Sequence, residues 1–103
     1  MNLKGTLPTL ILQVLLGGPL HGYRIAQEIK KRSKGVLEFR EGTLYPALHD
    51  LENRGFITSE EIVVKGRPRR DYRLTDAGRG ILLDEREEWR RYVKAVDFVL
   101  GEG

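Results

Sequence analysis

The chain contains no cysteine, which excludes disulfide scaffolds, cysteine nucleophiles, iron–sulfur clusters and the usual structural zinc sites. Histidine is nearly as scarce: with only His21 and His49, a metal centre would draw most of its ligands from carboxylates. His21 is expected to cap or pack a turn. Long apolar runs are missing too. The longest, Leu10 to Leu16, is broken by Gln13 and falls well short of the roughly 20 residues a membrane span requires. It does not make a signal peptide either, because Lys4 alone supplies the positive flank and no A-x-A-like site follows Gly17-Gly18. The expected location is the cytoplasm. Catalytic patterns are absent: Ser33 and Ser59 have no adjacent base, and neither H-E-x-x-H nor G-x-S-x-G occurs. Glu87-Glu88 lies among Arg86, Arg90 and Arg91, the pattern of a solvated helical face. Gly17 to Gly22 lacks the G-K-[ST] ending of a phosphate loop. Neither an enzyme nor a cofactor is expected. Charge of one sign is not in excess overall, at 18 Lys plus Arg against 15 Asp plus Glu.

What the chain does have is periodicity. At 103 residues it has the length of one domain with a small core. Leu7, Leu10, Ile11, Val14 and Leu15 recur at helical spacing until Gly17-Gly18-Pro19 stops them. Pro19 to Gly22 reads as a turn, and Tyr23, Ile25, Ala26 and Ile29 mark a second helix with the basic tail Lys30-Lys31-Arg32. Val36 to Phe39 reads as a short extended segment. Leu44, Ala47, Leu48 and Leu51 place one apolar face on a third helix, with Gly42-Thr43 where its N-cap belongs, Pro46 in its first turn and Gly55 closing it. Ile57 to Val64 and the alternating Tyr72 and Leu74 are strands of a hairpin, turned by Lys65-Gly66-Arg67-Pro68-Arg69. Thr75 caps a last helix running to about Leu100.

Three helices, a hairpin and a long helix suggest a mainly α (α+β) winged helix-turn-helix. In such a unit the second helix of the pair enters the major groove. Here that helix spans about Thr43 to Arg54, and Thr43, Tyr45, Pro46, His49 and Asn53 are left to face DNA. Thr43 and Tyr45 lie near the helix N-terminus, where phosphate is favoured, and His49 and Asn53 point to base edges. His49 has an ordinary surface role as its alternative, and Tyr45 half-buried packing. Tyr23 is either a DNA contact or a core residue extending only its hydroxyl. Lys65, Arg67, Arg69, Arg70 and Arg73 against Asp71 give +4 in nine residues, more than the net charge of +3. That hairpin suits a phosphate backbone or a minor groove, and Lys65, Arg67, Arg69 and Arg70 are its candidate contacts; a solvated turn is the alternative.

The last helix carries Leu82, Trp89, Val93, Val96 and Leu100 along one stripe. A helix of 25 residues is about 37 Å long, further than this core can cover, so its far half calls for a second copy of the chain. Residues 1–75 are therefore expected to form the DNA-binding unit and 76–103 a dimerisation helix, in one compact body. A two-fold dimer matches a palindromic site in double-stranded DNA with half-sites about 34–36 Å apart. Leu82, Trp89, Val93 and Val96 are expected at the dimer centre. There Trp89 either packs the interface or, with its mate, offers flat surfaces to a small aromatic effector.

Several segments resemble the PadR family of bacterial transcriptional regulators across nearly the whole chain. They are His21-Gly22-Tyr23, Gly42-Thr43-Leu44-Tyr45-Pro46-Ala47-Leu48, Leu51-Glu52-Asn53-Arg54-Gly55-Phe56-Ile57, and the stretch from Gly66 to Gly78. The resemblance implies a winged-helix dimer that represses promoters, often its own and a neighbouring transporter or detoxification gene's. It also implies release by small aromatic or hydrophobic ligands. The short tail resembles the small subgroup, and Trp89 sits where some ligand-sensing members carry a dimer-centre tryptophan. Two other readings remain open here: a winged-helix protein-interaction module with no DNA target, and a protein that is primarily a ligand sensor.

Overall fold

The computed structural model describes residues 5–102, so Lys4 lies outside the described residues. Along the chain run α1 (Leu7–Leu15), β1 (Leu20–His21), α2 (Gly22–Arg32), α3 (Glu41–Asn53), β2 (Ile57–Val64), β3 (Arg67–Leu74) and α4 (Asp76–Leu100). Leu7, Ile11, Leu12, Val14 and Leu15 bury most of the circumference of α1, which places that helix centrally, against α2, α3, α4 and β3. Ile25, Ile29, Leu44, Leu48, Leu51, Ile57, Tyr72, Leu74 and Leu82 close around it in one core. Among the described residues no charged or polar side chain is buried there.

Two short segments differ from their sequence patterns. Leu20 and His21 do not form a bare turn: they pair with Tyr72 and Asp71, making an antiparallel sheet of order β1-β3-β2. Val36 to Phe39 forms no strand, because Leu37 donates its N–H to Ser33 Oγ at 2.9 Å while Leu37 and Phe39 lean on the core. The start of α3 moves as well. Arg40 occupies the N-cap, and its carbonyl accepts from Thr43 and Leu44 at 3.0 and 2.9 Å. Thr43 is therefore inside the first turn, with no capping role, and Pro46 sits in the second turn. The end of α3 is as the sequence suggests. Gly55, at φ 81°, lets its own N–H reach Glu52 O and the Phe56 N–H reach Leu51 O, both at 3.0 Å.

The hairpin turn is tighter than expected. Lys65 and Gly66 alone make it, both with positive φ (51° and 77°), and Arg67 onward belongs to β3. At the other end of β3, Thr75 Oγ1 accepts from Gly78 N at 3.0 Å and donates to Gly55 O at 2.7 Å, tying the cap of α4 to the end of α3. At Gly78 a Cβ would overlap the Phe56 carbonyl oxygen and lie 2.8 Å from Leu74 Cδ1, so only glycine admits this approach. The first turns of α4 then run along α1, where Thr9 Oγ1 donates to the Glu85 carboxylate. Leu82, expected at a dimer centre, is 1% exposed inside this core. The boundary at residue 75 thus divides chain segments but not the packing. Beyond it α4 projects, giving the molecule extents of 55 × 28 × 22 Å.

Candidate nucleic-acid interface

Because Leu44, Leu48 and Leu51 face the core, the opposite stripe of α3 is Gly42, Pro46, His49 and Asn53, all exposed. That stripe bears no charge. Its charged neighbours are paired with each other, Arg54 Nε lying 3.2 Å from Asp50 Oδ2. Thr43 and Tyr45 flank the stripe and are half-buried. The Tyr45 ring packs against Gly22 at the start of α2, where a Cβ would stand 2.7 Å from its hydroxyl oxygen. Tyr45 therefore fastens α3 to α2, the packing alternative that its sequence position leaves open.

The basic residues of the hairpin fall into two groups. Side chains alternate along β3, so Arg67, Arg69, Asp71 and Arg73 share the face opposite to Tyr72 and Leu74. Arg69 forks onto Asp71, with Nε to Oδ1 at 2.8 Å and Nη2 to Oδ2 at 3.1 Å, so its guanidinium is already committed. Arg70, on the core-side face, donates to Ser59 Oγ at 3.0 Å and lies 3.5 Å from Glu61. Ser59 in turn donates to Glu52 of α3 at 2.6 Å. Arg70 is thus a brace between hairpin and helix. Lys65, Arg67 and Arg73 are exposed and have no ion-pair partner among the described residues. The +4 read along the sequence reduces to these three free cations, because Arg69 is paired with Asp71 and Arg70 with Glu61 of β2.

At the base of the sheet His21 takes the N-cap of α2 without a side-chain capping bond and stacks on Tyr23, with ring centroids 6.4 Å apart. Tyr23 itself is 65% exposed, so it is not a core residue. Burial lowers the His21 pKa, Arg69 and Arg24 lower it further, and Asp71 opposes them. Burial likewise raises the Tyr72 hydroxyl, with Tyr45 and Glu52 adding to the effect. No cluster of potential metal ligands occurs among the described residues.

A second surface lies on α4. Trp89 and Tyr92 are partly exposed and stacked at 6.1 Å, while Phe98, Val99 and Leu100 are open to solvent. Val93 and Val96 are half-buried along the same helix. Between α1 and α4, an open groove of about 800 Å³ is lined by Leu10, Gln13, Leu37, Trp89 and Tyr92 among others.

Comparison with known proteins places these features in a group. The model of the transcriptional regulator PadR-like family matches residues 11–84. A transcriptional regulator of Mycobacterium tuberculosis is 40% identical over 86 residues, which is 84% of this chain and 78% of that protein. A transcriptional regulator structure from Clostridium thermocellum aligns with a TM-score of 0.85 at 31% identity, covering 91% of this chain and 92% of the other. Bacillus subtilis PadR, solved in complex with operator DNA, aligns with a TM-score of 0.71 at 31% identity, over 77% of this chain and 45% of its own length.

Proposed function

Since the chain belongs to the PadR-like family of transcriptional regulators, we propose that it is a homodimeric repressor acting in the cytoplasm. Its target is a palindromic operator in its own promoter and a neighbouring one, and a small hydrophobic or aromatic effector releases it. The observation that carries this reading is an uncharged, exposed stripe on α3 beside a hairpin whose free cations are Lys65 and Arg67 at the turn and Arg73 further along. Such a stripe enters a groove without repelling phosphate, while free cations release counterions from the backbone.

His49 and Asn53 are the proposed base readers. Pro46 and Gly42 keep the approach close, and Tyr23 and Thr43 border the backbone. Of the hairpin residues, Lys65 and Arg67 touch phosphate directly, while Arg69 and Arg70 hold the hairpin in place. The homodimer reading is supported by the apolar far half of α4, with residues 76–103 as the joining segment and Trp89, Val93 and Val96 at its centre. The α1–α4 groove beside Trp89 and Tyr92 suits a planar effector.

Binding to the upstream region of its own gene, titrated against salt, tests the reading. Arg67→Ala is expected to lower the slope of log affinity against log salt by about 1, for every DNA sequence alike. Asn53→Ala is expected to change sequence preference instead. Equal affinity of the unaltered protein for its upstream region and for random DNA would overturn the reading.

A further inference from the structure

A basic surface lies outside the hairpin. An open groove of about 1080 Å³ runs between α2 and the entry to α3, and Lys31, Lys34 and Arg40 line it with Tyr23 and Tyr45. The other charges along this part of the chain pair off: Glu28 takes both Arg24 at 3.5 Å and Arg32 at 3.2 Å, and Lys30 lies 3.4 Å from Glu38. Lys31, Lys34 and Arg40 are exposed and have no such partner among the described residues. Of the three acids lining the same groove, Glu28 and Glu38 are the paired ones, and only Glu41 has no such partner among the described residues. Three unpaired cations against one carboxylate leave a net attraction for anions.

The backbone supplies an independent observation. Among the described residues only two that are not glycine have positive φ, Lys34 at 56° and Lys65 at 51°, and both are lysines. A left-handed position ordinarily favours glycine or asparagine, since a longer side chain there is strained. Lys65 stands at the hairpin tip, where the free cations are. Lys34 holds the corresponding place in the turn that leads into α3: its N–H reaches Lys31 O at 3.1 Å and the Gly35 N–H reaches Lys30 O at 2.8 Å, a closed helix end that asparagine would serve as well. Both left-handed positions thus carry an exposed cation in place of the glycine or asparagine that the backbone favours.

We propose that Lys31, Lys34 and Arg40 form a second phosphate-binding surface, which grips the DNA backbone beside the N-terminal end of α3 while the Lys65 hairpin grips it elsewhere. The inference rests on the DNA-binding function proposed above and adds to it where the backbone lies. The groove borders Gly42 and Tyr45, so a strand lying in it passes next to the uncharged stripe of α3. The docking geometry then has contacts at the entry of the reading helix as well as at the hairpin, and the register of His49 and Asn53 on the bases is set by both.

The test is the salt dependence of binding to the upstream DNA, with melting temperature measured on the same samples. Replacing Lys31, Lys34 and Arg40 together by Gln is expected to lower the slope of log affinity against log salt by about 2–3 and to weaken binding at least about tenfold at moderate salt. Lys34→Asn is expected to lower the slope by about 1 with the melting temperature held or raised, because asparagine is at ease in the left-handed region. Lys34→Arg retains the slope. An unaltered protein that binds its upstream DNA with a steep slope, joined with a Lys34→Asn variant of the same slope and affinity, overturns the second surface and leaves the DNA-binding reading standing. An unaltered protein with no preference for its upstream DNA overturns that reading itself. If the triple variant does not fold, Lys34→Asn decides alone.

Discussion

The two ends of this molecule solve the burial problem differently. In the head, from Leu7 to Leu82, each core apolar side chain is covered by another element of the same chain. In the far half of α4, Trp89, Tyr92, Phe98, Val99 and Leu100 are 40–88% exposed, with α1 as the main neighbour of the helix. A small domain has little apolar surface to spare, so five large side chains left open on one helix are the observation behind the proposed dimer. In the proposed dimer, the difference separates what folding of one chain achieves from what association would add.

That contrast can be broken at either end. The largest effect is expected from Leu48→Ala, which empties a fully buried site and lowers unfolding stability by about 2–5 kcal/mol in denaturant titration. Trp89→Ala is expected to leave the far-ultraviolet spectrum of the head unchanged but to weaken self-association by about 2 kcal/mol, or roughly 30-fold, in sedimentation equilibrium. A monomer at every concentration of the unaltered protein would dissolve the contrast. Thr75→Ala removes both bonds of its hydroxyl, so a stability loss of about 1 kcal/mol is expected in the same denaturant titration. The smallest effect concerns His21. Its pKa in the folded chain lies below the ordinary 6.5, so the folded state binds fewer protons than the unfolded one in the window beneath that value. Stability present above pH 6.5 is therefore lost as pH falls through the folded-state pKa, and His21→Gln flattens that stretch of the pH profile.

The element order was legible because each long element has its own period: Leu44, Leu48 and Leu51 mark one helical face, and Tyr72 and Leu74 one strand face. Caps with a chemical signature were legible too, as Gly55 and Thr75 show. What escaped lacks such a signature. Arg40 starts α3 without being a capping residue type, and Leu20 and His21 become a strand only because Tyr72 and Asp71 present an edge. Leu82 shares its stripe with Trp89, and periodicity does not mark where along a helix the core ends. In the candidate interface, the hairpin was visible as a run of positive charge. Its division into free Lys65 and Arg67 and tied Arg69 and Arg70 depends on the partners the folded hairpin selects, Asp71 on the same strand for Arg69 and Ser59 across the ladder for Arg70. Lys31, Lys34 and Arg40 were missed because the run from Lys30 reads as the basic tail of a helix, and they become distinct only once Glu28 and Glu38 take their partners.

The contact at Gly78 has a mechanical consequence. Helix α4 meets the head where no side chain fits between it and the Phe56 carbonyl, so that point acts as a pivot with almost no play. Leu82 and Glu85 hold the next turns against the head, and beyond them the helix is a stiff lever, about 22 Å from Glu85 to Leu100 at 1.5 Å per residue. A swing of about 5° would carry that end through about 2 Å on such a lever. In the proposed dimer, the separation of the two reading helices is thus gauged at a glycine remote from both the DNA and the partner chain.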